Sequence, residues 1–314
     1  MSHASSLCAS DRVRAGLEIE RELLLEFSRP APWTLLFHTL LEWALIVAAI
    51  VLAVHSGVWV SLLAIAFIGT RQHALLVLMH EFSHRQFSRT RPGLNDMIGD
   101  ALTALPLFIT IHGFRRDHMQ HHRAPSTDED PNWTSSLRRS RYRFPRTRPQ
   151  MAWLLFLHGI GFYALQDIKG YLFDASMATR LPFMTKLRQA LLWLAVAVAA
   201  SAFNLWSVLA VYWIVPMLTV LMALLYLRDV AEHHAMPGRG LEASRTTLAG
   251  PLESFLIAPH AVGLHAEHHL YPSVPFCRLR RLHRLLSTRA GYIEHAVVTR
   301  GYLAGMLREV SHAR

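Results

Sequence analysis

The sequence predicts an all-α integral membrane protein, with four transmembrane helices as two hairpins, additional interfacial helices, and a histidine-rich cap on the cytoplasmic side. Three observations carry that prediction. The 314 residues are 52% hydrophobic and only 17% charged, and the apolar residues gather into blocks long enough to cross hydrocarbon. Arginine and lysine are absent between Pro30 and Thr70 and again between Gln189 and Leu227. Eight of the 20 histidines fall into three clusters at helical spacing.

Residues 1–31 carry charges of both signs and no apolar stretch followed by a small-residue cleavage site, so they read as a cytoplasmic N-terminal helix and not as a signal peptide. The first apolar block runs over 32–54 and, after the turn His55-Ser56-Gly57, the second runs over 58–79. A second pair follows at 187–203 and 205–227, joined around Asn204, and Pro216 is expected to kink its second member without breaking it. Both hairpin tips lack positive charge. By the positive-inside rule they face away from the cytoplasm, which puts the N-terminus, the stretch from Arg71 to Arg188 and the tail from Arg228 on the cytoplasmic side.

Two further segments are apolar but too short or too polar to span: 97–111, with Asp100 and Pro106, and 151–173, with His158, Gln166, Asp167 and Lys169. Both read as re-entrant or interfacial helices. The basic loop 138–148 reads as a solvated, lipid-facing surface or a docking surface. Inside the first span, His38 and Glu42 are one turn apart and are expected to form a polar contact. Trp33, Trp43, Trp59, Trp193, Trp206 and Trp213 lie in or beside the spans, where interface anchoring or lipid contact accounts for most of them. The whole reads as a single domain over 1–314, with a core at 32–286 and a cytoplasmic tail at 287–314.

The net charge of +10 does not point to nucleic acid, because no finger or RNA-binding signature accompanies it and such a reader needs no apolar spans. Anionic lipid headgroups are the better partner. Nearly all the excess is arginine, the lysines being Lys169 and Lys186, and arginine can also hold an acidic group bidentately. Cys8 and Cys277 make neither a disulfide framework nor a metal-binding spacing.

Three histidine clusters stand out: His80-Glu-Phe-Ser-His84, His118-Met-Gln-His121-His122 and His265-Ala-Glu-His268-His269. Residues three and four apart share a helix face, so each cluster aims its rings at one point. At this histidine frequency about one H-x-x-x-H arises by chance, but only about a tenth of one H-x-x-H-H. Two copies of the stricter pattern are therefore not accidental. A fourth element, Arg228-Asp-Val-Ala-Glu232-His233-His234, begins where the last span ends. His233 is its preferred ligand, Asp229 is placed to orient a ligand or metal-bound water, and His234 is expected to point outward. Glu81, Glu232 and Glu267 are candidates to orient imidazole N–H groups, and His112 is a further outer-layer candidate. The eight box histidines and His233 suffice for two metals with four or five nitrogens each. Imidazole-rich coordination suits iron, zinc or copper, and the number of ligands favours two irons.

These residues resemble the membrane fatty acid desaturase superfamily, over roughly residues 71–286. The likeness rests on the three boxes in order, on Arg115-Arg-Asp-His-Met-Gln-His-His-Arg-Ala-Pro followed by Asp128-Glu-Asp-Pro131, and on Gly263-Leu-His-Ala-Glu-His-His-Leu-Tyr-Pro-Ser-Val-Pro275. Arg228 to His234 and Arg245-Thr-Thr247 resemble a bacterial branch. The resemblance implies a bacterial inner-membrane protein whose two irons, under a cytosolic cap, use O2 to desaturate a fatty acyl chain carried as lipid or thioester. It implies His80, His84, His118, His121, His122, His233, His265, His268 and His269 as iron ligands. Asp229 departs from the pattern, standing where the animal enzymes have a water-holding asparagine. No His-Pro-Gly-Gly is present, so a fused cytochrome b5-like domain is not expected, and electrons would come from a separate ferredoxin or cytochrome b5-like protein that could dock on the 138–148 loop. The same scaffold serves hydroxylases, acetylenases and carotenoid oxygenases. A membrane metal transporter, the rival from another class, would place its ligands along a path at mid-membrane and not at one face.

Overall fold

The computed structural model describes residues 16–167, 181–238 and 240–311. Cys8, Lys169, the start of the N-terminal segment and the end of the 151–173 segment lie outside the described residues. Among the described residues, four helices are long and apolar enough to cross a membrane: Arg21–Val54, Val58–Ser83, Phe183–Ala202 and Trp206–His233. The chain divides into two compact units, one made of Trp33–Phe114 and Leu155–Tyr226, the other of Met1–Pro32, Arg115–Leu154 and Leu227–Arg314.

The first of these units holds most of the apolar helix. Its opening helix, Pro32–Val54, starts on proline, which suits the first helical position because no N–H is needed there. The next, Val58–Ser83, outruns the predicted boundary and carries the first histidine cluster at its end. Its early turns expose Val58, Trp59, Leu62 and Leu63, whereas every residue from Gly69 to Ser83 is buried. Gly69 permits that burial, since a Cβ there would lie 2.5 Å from the Cβ of Val220. Small residues let two apolar helices approach this closely. Arg71 falls inside the predicted 58–79 span, and the structure keeps it there. It sits inside this helix, buried, with its guanidinium 3.1 Å from Glu42. Glu42 thus has a partner that the sequence reading did not include.

Proline and tryptophan shape the segment that follows. Pro92–Gly99 is α-helical, Asp100–Ala104 is a π turn, Leu105–Leu107 is 3-10, and the run ends at Phe108 with φ 62°. Pro106 has no N–H to offer the carbonyl of Leu102, four residues earlier, and the Trp43 indole N–H donates to that carbonyl instead, at 2.8 Å. The Trp213 indole donates to the Pro106 carbonyl at 2.9 Å, and the two indoles stack with centroids 5.2 Å apart. Trp193 stacks on Phe108. Interface anchoring therefore does not describe these three, while Trp33, Trp59 and Trp206 are exposed. Asp100 is buried and accepts the Ile111 N–H at 2.8 Å.

The last two spans, Phe183–Ala202 and Trp206–His233, overrun their predicted outer ends and stop one residue short at the turn between them. Asn204 turns the chain between them with φ 53°, a conformation its short polar side chain tolerates. Pro216 follows a π turn at Ala210–Ile214, and the helix is interrupted at Thr219 before resuming as Val220–His233. The deformation thus spreads over two turns where a single kink was expected. Helix Arg148–Gly159 occupies the start of the 151–173 segment, and His158 is buried against Tyr226 with ring centroids 4.2 Å apart.

The second unit has a core of Leu17, Phe27, Leu264, Leu270, Tyr271 and Leu282 among others. Helix Phe276–Leu286 contributes Phe276, Leu279, Leu282 and Leu286, the three-and-four spacing of a one-faced helix. The unit also contains two short strands, β1 (Arg245–Leu248) and β2 (Val297–Arg300), paired in parallel. The all-α expectation is corrected to this extent. Runs of four residues are too short to show a period of two against a helical background.

Candidate metal centre

Three helices bring seven imidazoles of the second unit together. Ile111–Arg123 presents His118, His121 and His122; His265–Leu270 presents His265, His268 and His269; and Val220–His233 ends on His233. All seven are buried. The Nε2 atoms of His118 and His122 are 3.0 Å apart, as are those of His122 and His268. A neighbouring group forms from His121, His233, His265 and His269, all four ring-nitrogen donors lying within 4.8 Å of one another. Within it, His265 Nε2 is 2.8 Å from His233 Nε2 and 3.0 Å from His269 Nε2, and His121 Nε2 is 3.2 Å from His269 Nε2.

The outer ring nitrogens show what these separations mean. His233 Nδ1 is 3.3 Å from the Ala243 carbonyl, which can only accept, so Nδ1 carries the proton and Nε2 presents a lone pair. His121 Nδ1 lies 2.8 Å from Asp130 Oδ2, and His265 Nδ1 lies 3.5 Å from Glu232 Oε1. Burial, with the rings of His269 and His233 close by, holds His265 well below the usual imidazole pKa and keeps it neutral. Two Nε2 lone pairs facing each other at about 3 Å, as those of His233 and His265 do, repel unless a cation lies between them, and two nitrogens each about 2.1 Å from one ion at right angles are about that far apart. The donor set fits a metal ion in each group.

The first cluster lies in the other unit. His80 and His84 flank the end of helix Val58–Ser83 with ring centroids 4.7 Å apart, and His80 Nδ1 is 3.6 Å from Glu81.

Comparison with known proteins agrees with this geometry: residues 56–301 match the fatty acid desaturase family. The chain belongs to that family. The desaturase is 24% identical over 268 residues to a dihydrorhizobitoxine desaturase of Bradyrhizobium elkanii, covering 81% of this chain and 76% of that protein. It is 29% identical over 275 residues to a probable fatty acid desaturase of Sorghum bicolor, covering 79% and 69%. It is 27% identical over 237 residues to the endoplasmic reticulum acyl-lipid omega-3 desaturase (cytochrome b5) of Arabidopsis thaliana, covering 67% and 59%. It is an integral membrane oxidoreductase of the fatty acid desaturase type, with histidine groups able to hold metal.

Around the desaturase's histidines, the structure places several polar residues differently from the sequence reading. Asp130, not singled out there, is buried and holds His121 with one carboxylate oxygen while the other accepts the N–H groups of Asn132 and Trp133. Burial alone would raise its pKa, but the His121 contact and the backbone N–H groups of Ser126 and Trp133 outweigh it and hold the carboxyl below its usual range. The signal was legible as an aspartate directly before Pro131, which marks a helix start. Glu267 turns away from the rings and accepts from Thr246, His283 and Tyr292. Asp229 lies 3.3 Å from Ser136 and 3.8 Å from His234, and its charge also acts on His233. His234 does not point outward. It is buried among Trp133, Tyr142 and Phe144, with centroids 4.9 to 5.5 Å away, because its flat ring packs against the aromatic faces around it. His112 is exposed and outside both groups. Glu232 serves both His265 and Arg228, the latter at 2.7 Å.

Proposed function

We propose that this desaturase introduces a double bond into a fatty acyl chain, carried as a lipid or a thioester, at two non-haem iron ions. In the overall reaction two hydrogens leave adjacent acyl carbons and, with two electrons and two protons supplied, O2 becomes two molecules of water. His118, His122 and His268 would hold one iron, with His80 and His84 added on the family's box pattern; His121, His233, His265 and His269 would hold the other. The observation that carries the reading is the convergence of buried Nε2 atoms at two adjacent points in a chain of this family. Bound iron would supply, with O2, the oxidising power for an alkyl C–H bond that no side chain possesses.

The protein's own part is orientation and exclusion. Asp130, Glu232 and the Ala243 carbonyl hold the outer nitrogens of three rings and so turn their Nε2 atoms inward. Burial of the seven rings keeps bulk water from them. Electrons would come from a separate ferredoxin or cytochrome b5-like protein; the name of the Arabidopsis relative carries cytochrome b5. We place the protein in a bacterial inner membrane, its spans paired as two hairpins and its histidine cap and termini cytoplasmic, on the strength of the arginine distribution.

Elemental analysis of detergent-purified protein tests this, paired with lipid product analysis in cells and with the double variant His268→Ala, His269→Ala. The expected result is about two irons per chain and new unsaturated acyl products, both lost in the variant. Zinc in place of iron, or metal that persists without these histidines, would overturn it.

A further inference from the structure

We propose that strand β1 is the positioning element of the metal centre, and that its neighbouring side chains Arg245 and Thr246 each set one of the helices that carry the ligands; this rests on the ligand assignment above. Successive residues of a strand point to opposite sides, and here each side reaches a different target.

Arg245 is buried and donates to the Ala231 carbonyl at 2.7 Å and to the Val230 and His234 carbonyls at 3.4 Å. These lie at the end of helix Val220–His233; the Val230 carbonyl also accepts the His234 N–H at 3.2 Å, and the carbonyls after it are past the helix's own ladder. A cation there also complements the negative end of the helix dipole. The guanidinium is held in turn by Glu309 at 3.3 Å, and Glu309 accepts from Thr299 of β2 at 2.7 Å. Arg245 therefore fixes the height and rotation of the last helical turn, which carries His233.

Thr246 is fully buried and donates its hydroxyl to Glu267 at 2.6 Å. Glu267 sits inside helix His265–Leu270 and also accepts from Tyr292 and His283. Burial and the Glu267 carboxylate push the Tyr292 hydroxyl pKa upward, so it stays a donor. The backbone makes the same connection, with the Thr247 N–H donating to the Gly263 carbonyl at 2.7 Å. A Cβ on Gly263 would lie 2.5 Å from the Thr247 carbonyl oxygen, so only glycine permits this approach just before the histidine helix. His233 from one helix and His265 from the other then meet with Nε2 atoms 2.8 Å apart. A ligand pair that tight requires both helices to be fixed against one common frame, and β1 is the element that touches both.

The two residues differ in what they control. Arg245 governs His233 alone, which belongs to one metal group, whereas Thr246 governs a helix that serves both. The test is iron content and Mössbauer spectrum of purified, folded protein for the wild type and for Arg245→Gln, Thr246→Val and Thr246→Ser. Arg245→Gln should weaken iron at the His121 group about 10-fold or more, leaving the other group loaded and the spectrum that of a single iron. Thr246→Val should lower both irons together, and Thr246→Ser, which keeps the hydroxyl, should restore them. A purely structural role would reduce the yield of folded protein without changing the ratio of the two irons. An unaltered spectrum in folded Arg245→Gln, or equal loss of both irons, would overturn the brace while leaving the ligand assignment intact. A wild type without iron would overturn both.

Discussion

The two units face the same difficulty, helix carbonyls that have lost their partner, and they meet it with different donors. In the unit dominated by apolar helix, the Leu102 and Pro106 carbonyls are taken by the neutral indoles of Trp43 and Trp213. In the histidine-bearing unit, the Ala231 and His234 carbonyls are taken by the charged Arg245, which also shares the Val230 carbonyl with the His234 N–H and is itself held by Glu309. An indole brings one donor and a large apolar body, so it costs little to bury among hydrocarbon. A guanidinium brings a rigid fork of five donors and must have its charge answered. The difference teaches what each repair is for: the indoles close a break in the backbone, and the arginine aims a side chain.

That contrast can be broken by substitution. The largest effect on stability is expected from Glu42→Ala, which leaves Arg71 charged and buried without its carboxylate and should cost about 3–5 kcal/mol. Thermal unfolding in detergent would register it, while iron per folded chain stays at the wild-type value. Trp43→Phe keeps most of the ring but strands the Leu102 carbonyl, for an expected loss of about 1–3 kcal/mol, again without a change in iron. Glu309→Gln should behave the other way round. Its carboxylate is partly exposed, so the stability change should stay within about 1 kcal/mol, yet iron affinity at the His121 group should fall measurably in a chelator titration. Should Trp43→Phe strip iron and Glu309→Gln spare it, the division of labour drawn above would be wrong.

Much of this was legible in the sequence because two periodicities are unambiguous. Apolar runs of about 20 residues marked the spans, and Pro32–Val54 has the predicted limits. The histidine spacing of three and four placed the rings of Ile111–Arg123 and His265–Leu270 on common faces. Pairings between distant residues have no period to read. Arg71 with Glu42, Asp130 with His121, and Thr246 with Glu267 join residues that only the fold brings together. His234 was misplaced for a related reason, since its aromatic pocket is built from residues about 100 positions earlier in the chain. The strands escaped notice because β1 makes sense only beside β2, about 50 residues later.

The partnership of β1 with β2 and Glu309 also sets the order in which the enzyme can be made. Every histidine of the two groups has been synthesised by residue 269, but the frame that aligns them waits for Val297–Arg300 and for Glu309. During translation the ligands therefore emerge before the site that would select a metal. On the proposed brace, the centre's ligands and the frame that aligns them are thus separated along the chain by about 30 residues or more.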